Sequence, residues 1–316
     1  MKKIVGFCTT YVMQSFEVVE RFMLRRFDTP RHPFIFIVGQ PRCGSTLFQQ
    51  LMGQCSNIGY ISNFQAKFWK TPYFGAILAN LFKPRRHDTN FESEFGITEG
   101  LWGPNEWGWF WKRILEIDPD TAQPRRGSDT EGNLKKLGQI IAALEHVYKA
   151  PVIFDNVDVF RMLGQIATKF ENSLFVNISR DKLFVANSIL NAKKKRFGTL
   201  EDWYGPKPMS YPALVKLQPV EQVVKQVEGV GADLNRELGK VDDDRIFNIE
   251  YLDMCSNPSV VVEEFNSFMG KHGAPLILDP QELPGSFEHR NRPELIDPKL
   301  RDQLYRLFNQ SELSPA

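Results

Sequence analysis

The chain has 316 residues, room for one large domain or two small ones at ~150 residues per domain. Hydrophobic residues make up 42% and charged residues 24%, which argues against a disordered chain, a coiled coil or a collagen-like chain. Lys plus Arg number 39 against 38 Asp plus Glu, and a net charge of +1 gives no support to wholesale nucleic-acid binding.

The start, Met1 to Phe7, carries a lysine pair and a short apolar stretch that breaks at Thr9-Thr10. No small-x-small cleavage site follows, so secretion is not expected. Residues 11–27 read as a helix, with Val12, Phe16, Val19, Met23 and Phe27 recurring at three or four. Pro30 and Pro33 then interrupt the chain, and Phe34–Val38 is a continuous apolar run that ends at Gly39. A strand buried on both faces of a parallel sheet reads this way. The run is far shorter than the ~20 residues of a membrane span, and no longer one exists. A helix follows over Thr46–Gly53.

Further strands are expected at Val152–Phe154, Leu174–Ile178 and Ile246–Ile249. Helices are expected over 157–170, over 182–195 and after Pro258. This alternation predicts an α/β protein, a parallel sheet with flanking crossover helices, as a single domain over 1–316. Residues 64–148 break the rhythm and read as a helical insertion, a lid or substrate wall. The four cysteines, Cys8, Cys43, Cys55 and Cys255, form no C-x-x-C pair and no zinc spacing. A reducing, cytoplasmic setting without a metal is the simplest expectation.

The strongest chemical signal is Gly39-Gln40-Pro41-Arg42-Cys43-Gly44-Ser45-Thr46, between the first strand and its helix. A helix start offers unpaired N–H groups and a partial positive charge, so an anion settles there. The spacing is that of a nucleotide P-loop, except that Ser45 stands where the lysine belongs and Arg42 carries the cation inside the loop. Strand-(P-R-x-G-[ST]-T-L)-helix resembles the 5′-phosphosulfate loop of sulfotransferases that use 3′-phosphoadenosine 5′-phosphosulfate (PAPS).

That family holds the 3′-phosphate with an Arg ending a strand and a Ser eight residues later. Here Arg180 ends the third expected strand, and Ser188 lies eight residues beyond it. Arg245 to Asp253, then Asn257-Pro258, resembles the family's late strand and next helix start. The resemblance implies a P-loop-like sulfotransferase fold with Arg42, Cys43, Gly44, Ser45, Thr46, Arg180 and Ser188 on the donor. A C-terminal loop adds Arg290 and Arg292. The implied reaction moves a sulfuryl group from PAPS to a hydroxyl, less readily an amine, of a carbohydrate, lipid or other small molecule. Nucleic acid is not an expected partner, and no metal is required.

The general base is not where the family puts it. Lys149-Ala150-Pro151 occupies the stretch comparable to the K-T-H of cytosolic relatives, so the histidine is absent and only Lys149 remains to assist. The glutamate that others carry about twenty residues after the loop cation is replaced by Ile61-Ser62-Asn63-Phe64. Glu106, then Glu99, then His87 are the candidates, because carboxyls among aromatics rise in pKa towards the useful range. Four of the six tryptophans, Trp102, Trp107, Trp109 and Trp111, surround Glu106, as a stacking wall or as packing. Lys193-Lys194-Lys195-Arg196 reads as a solvated helix end. Two other readings stay open. Val152 to Asp155 resembles the magnesium strand of a P-loop kinase or NTPase using ATP, and a nucleotide-binding module without turnover keeps the same loop.

Overall fold

The computed structural model describes residues 16–83, 89–118, 121, 124–125, 127–278 and 283–313. His87 and residues 11–15 of the first expected helix lie outside them. Five parallel strands form one sheet in the order β2-β3-β1-β4-β5: β1 Phe34–Gly39, β2 Gly59–Tyr60, β3 Val152–Asp155, β4 Ser173–Ser179 and β5 Ile246–Glu250. The helices are α1 (16–24), α2 Ser45–Met52, α3 Asn63–Ala66, α4 Pro72–Phe82, α5 Gly108–Ile114, α6 Thr130–Tyr148, α7 Leu163–Lys169, α8 Lys182–Phe197, α9 Tyr211–Leu214, α10 Pro219–Leu238, α11 Tyr251–Ser256, α12 Pro258–Lys271 and α13 Pro298–Leu313.

The four strands expected from apolar runs are present, and every residue of β1 is buried because it is the central strand. Its side chains alternate between faces. Phe34, Phe36 and Val38 join a core with α5, α6 and α7, while Ile35 and Ile37 join one with α2, α11 and α12. Burying a side chain such as Phe36 contributes about 1.5–3 kcal/mol. Helices α3 to α6 lie between β2 and β3, over the stretch read as an insertion, and α6 and α5 pack Leu137, Ile141 and Trp111 onto the first face. The expected helix over 157–170 begins as a 3₁₀ turn at Val159–Met162 and becomes α-helical only at Leu163.

Arg245 ties the edge of β5 to the rest of the sheet. Its Nε donates to Ser173 O (2.9 Å), Nη1 to Ala167 O (3.0 Å), and Nη2 to Phe170 O (2.7 Å) and Ser173 Oγ (2.5 Å). One fork thus satisfies carbonyls at the end of α7 and the start of β4. Arg245→Ala should therefore lower stability by about 2–4 kcal/mol, since a hydrogen bond to a charged group is worth about 1.5–3 kcal/mol. Urea denaturation measures it; a loss under about 1 kcal/mol would mean that water replaces the fork.

Candidate active site

Parallel strands bring their carboxyl ends to one edge, and ligands of open α/β sheets bind outside that edge. Residues 39–46 follow β1, Asp155 to Asp158 end and follow β3, Arg180 follows β4, and Tyr251 follows β5.

The loop is shaped by two tight places. A Cβ on Gly39 would sit 2.6 Å from Ile178 O and 2.7 Å from Cys43 Sγ. Gly44 has φ +101°, and a Cβ there would meet the Tyr251 ring at 2.7 Å. Arg42 itself has φ 68°, a left-handed conformation rare outside glycine. The turn closes with Cys43 N–H donating to Gln40 O (3.2 Å), so Cys43 has no main-chain donor left for an anion. Gly44, Ser45 and Thr46 are different: among the described residues their N–H groups have no main-chain acceptor, Ser45 N–H is turned to the Cys43 sulfur, and no side chain caps α2. Burial pushes the Cys43 thiol up to about 12, with Asp155 adding to the effect, so it fills space as a neutral group.

The two arginines meet across the edge. Arg42 Nε donates to Ser188 Oγ (3.1 Å), and Arg180 Nη1 donates to Arg42 O (2.7 Å). Arg180 Nε donates to Asn291 Oδ1 (2.7 Å), and its guanidinium lies 4.3 Å from the Tyr251 ring centre. Neither arginine has a carboxylate ion-pair partner among the described residues. The Tyr251 hydroxyl accepts from Arg290 N (3.2 Å), which brings the C-terminal loop to the site. The Arg290 charge is felt at Arg42, whereas Arg292 pairs with Glu288 (2.7 Å).

Glu106 reaches the same place. A Cβ on Gly96 would lie 2.7 Å from Glu106 Oε1 and 3.7 Å from Thr46 Oγ1, so the carboxyl stands beside the first turn of α2. Its strand-side anchor is Asn156, whose Nδ2 donates to Glu106 O (3.0 Å). A second chain of bonds holds the preceding turn: Thr98 Oγ1 to Pro104 O (2.7 Å), Asn63 Nδ2 to Gly100 O (2.8 Å), and Asn105 Nδ2 to Asn63 Oδ1 (2.7 Å). Burial raises the Glu106 carboxyl to about 7, against the pull of Arg42; Asp158 adds to the rise and Arg196 opposes it. The Phe95 ring covers Arg42 at 5.3 Å, and the neighbouring Glu94 is ion-paired with Lys195.

Other expected residues lie elsewhere. Glu99 is exposed. Lys149 caps the end of α6 and precedes β3, at the opposite edge of the sheet from the loop. Trp107 and Trp111 are core, Trp107 stacked on Phe110 at 3.8 Å and Trp111 edge-on to Phe36. Trp102 leans on Phe64, while Trp109 is 73% exposed beside Trp69. The basic run at the end of α8 is not wholly solvated: Lys193 is buried and donates to Gln222 Oε1 on α10 (2.9 Å). Sequence reasoning passed over Tyr251, Asn156 and Asn291, whose roles come from contacts across the fold.

The model of the sulfotransferase family matches residues 33–271. The chain belongs to this family. Among solved structures, the sulfotransferase STF9 from Mycobacterium avium is 12% identical with a TM-score of 0.50, covering 91% of this chain and 70% of that one. The sulfotransferase STF1 from Mycobacterium tuberculosis H37Rv is 12% identical with a TM-score of 0.51, covering 88% of this chain and 77% of that one. At such identity the likeness is one of fold, the P-loop-like sulfotransferase fold. No curated protein sequence matches the chain. The matched span holds the β1–α2 loop, Glu106, Arg180 and Ser188, and it ends before Arg290 and Arg292.

Proposed function

We propose that the chain transfers the sulfuryl group of PAPS to a hydroxyl of a carbohydrate, lipid or other small molecule. The observation that carries the reading is the pair of arginines joined across β1 and β4, with Ser188 bonded to Arg42 and neither arginine ion-paired with a carboxylate among the described residues. Half-buried guanidinium groups with spare donors suit phosphate, which they grip bidentately. Arg42 and the Gly44, Ser45 and Thr46 N–H groups face the 5′-phosphosulfate end. Arg180 and Ser188, with Arg290 at the rim, face the 3′-phosphate.

In the reaction an acceptor oxygen forms a bond to sulfur as the bridging S–O bond breaks. Charge grows on the leaving phosphate oxygen. Arg42 and the α2 N–H groups meet it, each donor worth about 10²–10³ in rate. Glu106 takes the acceptor's proton. Arg180 does not touch the reacting atoms in this scheme; it holds the Arg42 carbonyl and so the shape of the loop. No described helix is long and apolar enough to cross a membrane. The unpaired, buried Cys43, Cys55 and Cys255 suit the cytoplasm.

Thermal unfolding with adenosine 3′,5′-bisphosphate, beside ATP with magnesium and beside 5′-AMP, tests the reading. The bisphosphate at 100 times its Kd should add about 2.7 kcal/mol. A shift with ATP-magnesium and none with the bisphosphate would replace the reading with a P-loop phosphotransferase, for which Asp155 would be the magnesium carboxylate. Binding of the bisphosphate without turnover of any acceptor would leave a binding module.

A further inference from the structure

We propose that α1, α4 and the start of α5 form a docking surface for an anionic lipid bilayer, with the chain lying on the membrane and not across it.

α1 and α4 each bury one side and leave an apolar side to solvent. On α1, Glu20 and Leu24 are buried, while Val18, Val19 and Phe22 lie on the other side and Phe22 is 72% exposed. On α4, Tyr73, Ala76 and Ala79 are buried, while Ile77 and Leu81 lie opposite and Leu81 is 70% exposed. Spacings of three and four put each set on one side of its helix. The two helices adjoin. Phe16 meets Phe74 edge-on at 5.5 Å, and the Glu20 carboxyl accepts from Tyr73 N (2.8 Å) and Phe74 N (3.1 Å) at the first turn of α4. α5 is tied in by Arg113, which pairs with Glu17 and lies 5.7 Å from the Trp69 ring centre. Trp69 in turn sits 6.5 Å from Trp109, the exposed ring on α5. Clustered exposed apolar side chains of this kind mark a contact site.

Charge says what the contact is. Residues 16–27, 67–83 and 107–114 carry eight Lys or Arg and two acids, Glu17 and Glu20, although the whole chain is only +1. Both acids are engaged within the fold, Glu20 at the α4 amides and Glu17 with Arg113 and Arg21. Arg21, Lys70, Arg113 and Lys136 line one cavity between α1, α5, α6 and the start of α4. Burial, then Arg113 and Arg21, hold the Lys136 ammonium below its ordinary range against the pull of Glu17 and Glu20. Lys70 lies 5.0 Å from the Trp69 ring centre and Lys112 lies 5.9 Å from that of Trp109. Aromatic rings beside Lys and Arg, around protruding Phe and Leu side chains, are what a helix lying in the headgroup layer presents. A second copy would set this cationic face against itself, which like charges oppose. The fifteen residues ahead of α1 add Lys2 and Lys3 and no acid. Trp109 is three residues after Glu106, so the docked surface is no more than about 11 Å of backbone from that carboxyl's residue.

The experiment sediments the full chain with vesicles of phosphatidylcholine, with and without phosphatidylserine, at low and at high salt. Binding is expected on the phosphatidylserine vesicles alone and should fall as salt rises. Phe22→Ser with Leu81→Ser should weaken it by at least about tenfold, because both side chains leave water on docking. Lys70→Ala with Lys112→Ala should weaken it by about 30-fold, the worth of two cations at an anionic surface. Vesicles should shift the tryptophan emission to the blue, and Trp109→Phe should remove most of that shift. Thermal unfolding of each variant shows whether the fold is kept; the lipid and salt dependence of the unmodified chain needs no variant at all. Absence of binding to either vesicle overturns the surface as a membrane contact. So does equal binding to neutral vesicles, binding that survives both double variants, or a dimer in solution that the Phe22 and Leu81 changes dissociate. Neither donor nor acceptor is present in the assay, so sedimentation without turnover would sink the sulfuryl-transfer reading alone, and turnover without sedimentation would sink the docking surface alone.

Discussion

Glu106→Gln is expected to lower kcat by about 10²–10⁴-fold, the usual worth of a placed general base. The bisphosphate affinity should not fall, because Glu106 shares none of the hydrogen bonds of Arg180 and Ser188, the groups proposed to hold the 3′-phosphate. The base works when ionised, and its carboxyl is raised to about 7 by burial. The rate should therefore rise with pH through about 7 and level off above it. Stability should move the other way. The folded pKa lies above the unfolded value of 4.5, so the folded state gains from a neutral Glu106 at low pH and loses that gain as pH rises through 7. Glutamine copies the neutral form. The variant should thus be more stable than the parent at pH 8, and by a smaller margin at pH 5. Steady-state rates and thermal unfolding at both pH values check this. A variant that keeps its rate removes Glu106 from the mechanism, and the exposed Glu99 is then the next acid to test.

The central strand, its loop and its helix were legible because their signals are local. Five apolar residues before Gly39 make a buried strand, and a loop of fixed spacing opens the next helix. The placement of Arg180 at a strand end and of Ser188 on the next helix was legible for the same reason, since both positions sit within one β–α unit. β2 has only Gly59 and Tyr60, too short to show any period. Tyr251 could not be read as a site residue because its neighbours, Gly44, Arg180 and Arg290, come from three distant segments. Lys193 lies in a run of four cations, yet its turn on α8 faces α10 and not water. Lys149 resembles the lysine of the K-T-H sequence only by its position before a strand. The sheet places that residue at the amino ends, while Asp155 and Asn156 occupy the carboxyl end of the same strand.

Arg180→Ala should weaken adenosine 3′,5′-bisphosphate by at least about 100-fold, more than any loss expected from Ser188→Ala. Two effects combine. The charged contact to phosphate is worth about 1.5–3 kcal/mol for each hydrogen bond, and each 1.4 kcal/mol is tenfold in Kd. The same guanidinium also donates to Arg42 O at 2.7 Å and lies on the Tyr251 ring that packs against Gly44. Its removal frees the carbonyl of a residue already held at φ 68°, so the loop loses the brace for its strained conformation. Arg180→Lys should recover little. A lysine keeps the charge but cannot serve Asn291, Arg42 O and a phosphate from one planar fork while stacking on Tyr251. Calorimetric titration with the bisphosphate and with 5′-AMP separates the contributions. A large loss confined to the bisphosphate marks Arg180 as the 3′-phosphate ligand. An equal loss with 5′-AMP marks it as the brace of the loop alone, and an unchanged bisphosphate Kd moves the 3′-phosphate away from β4 altogether.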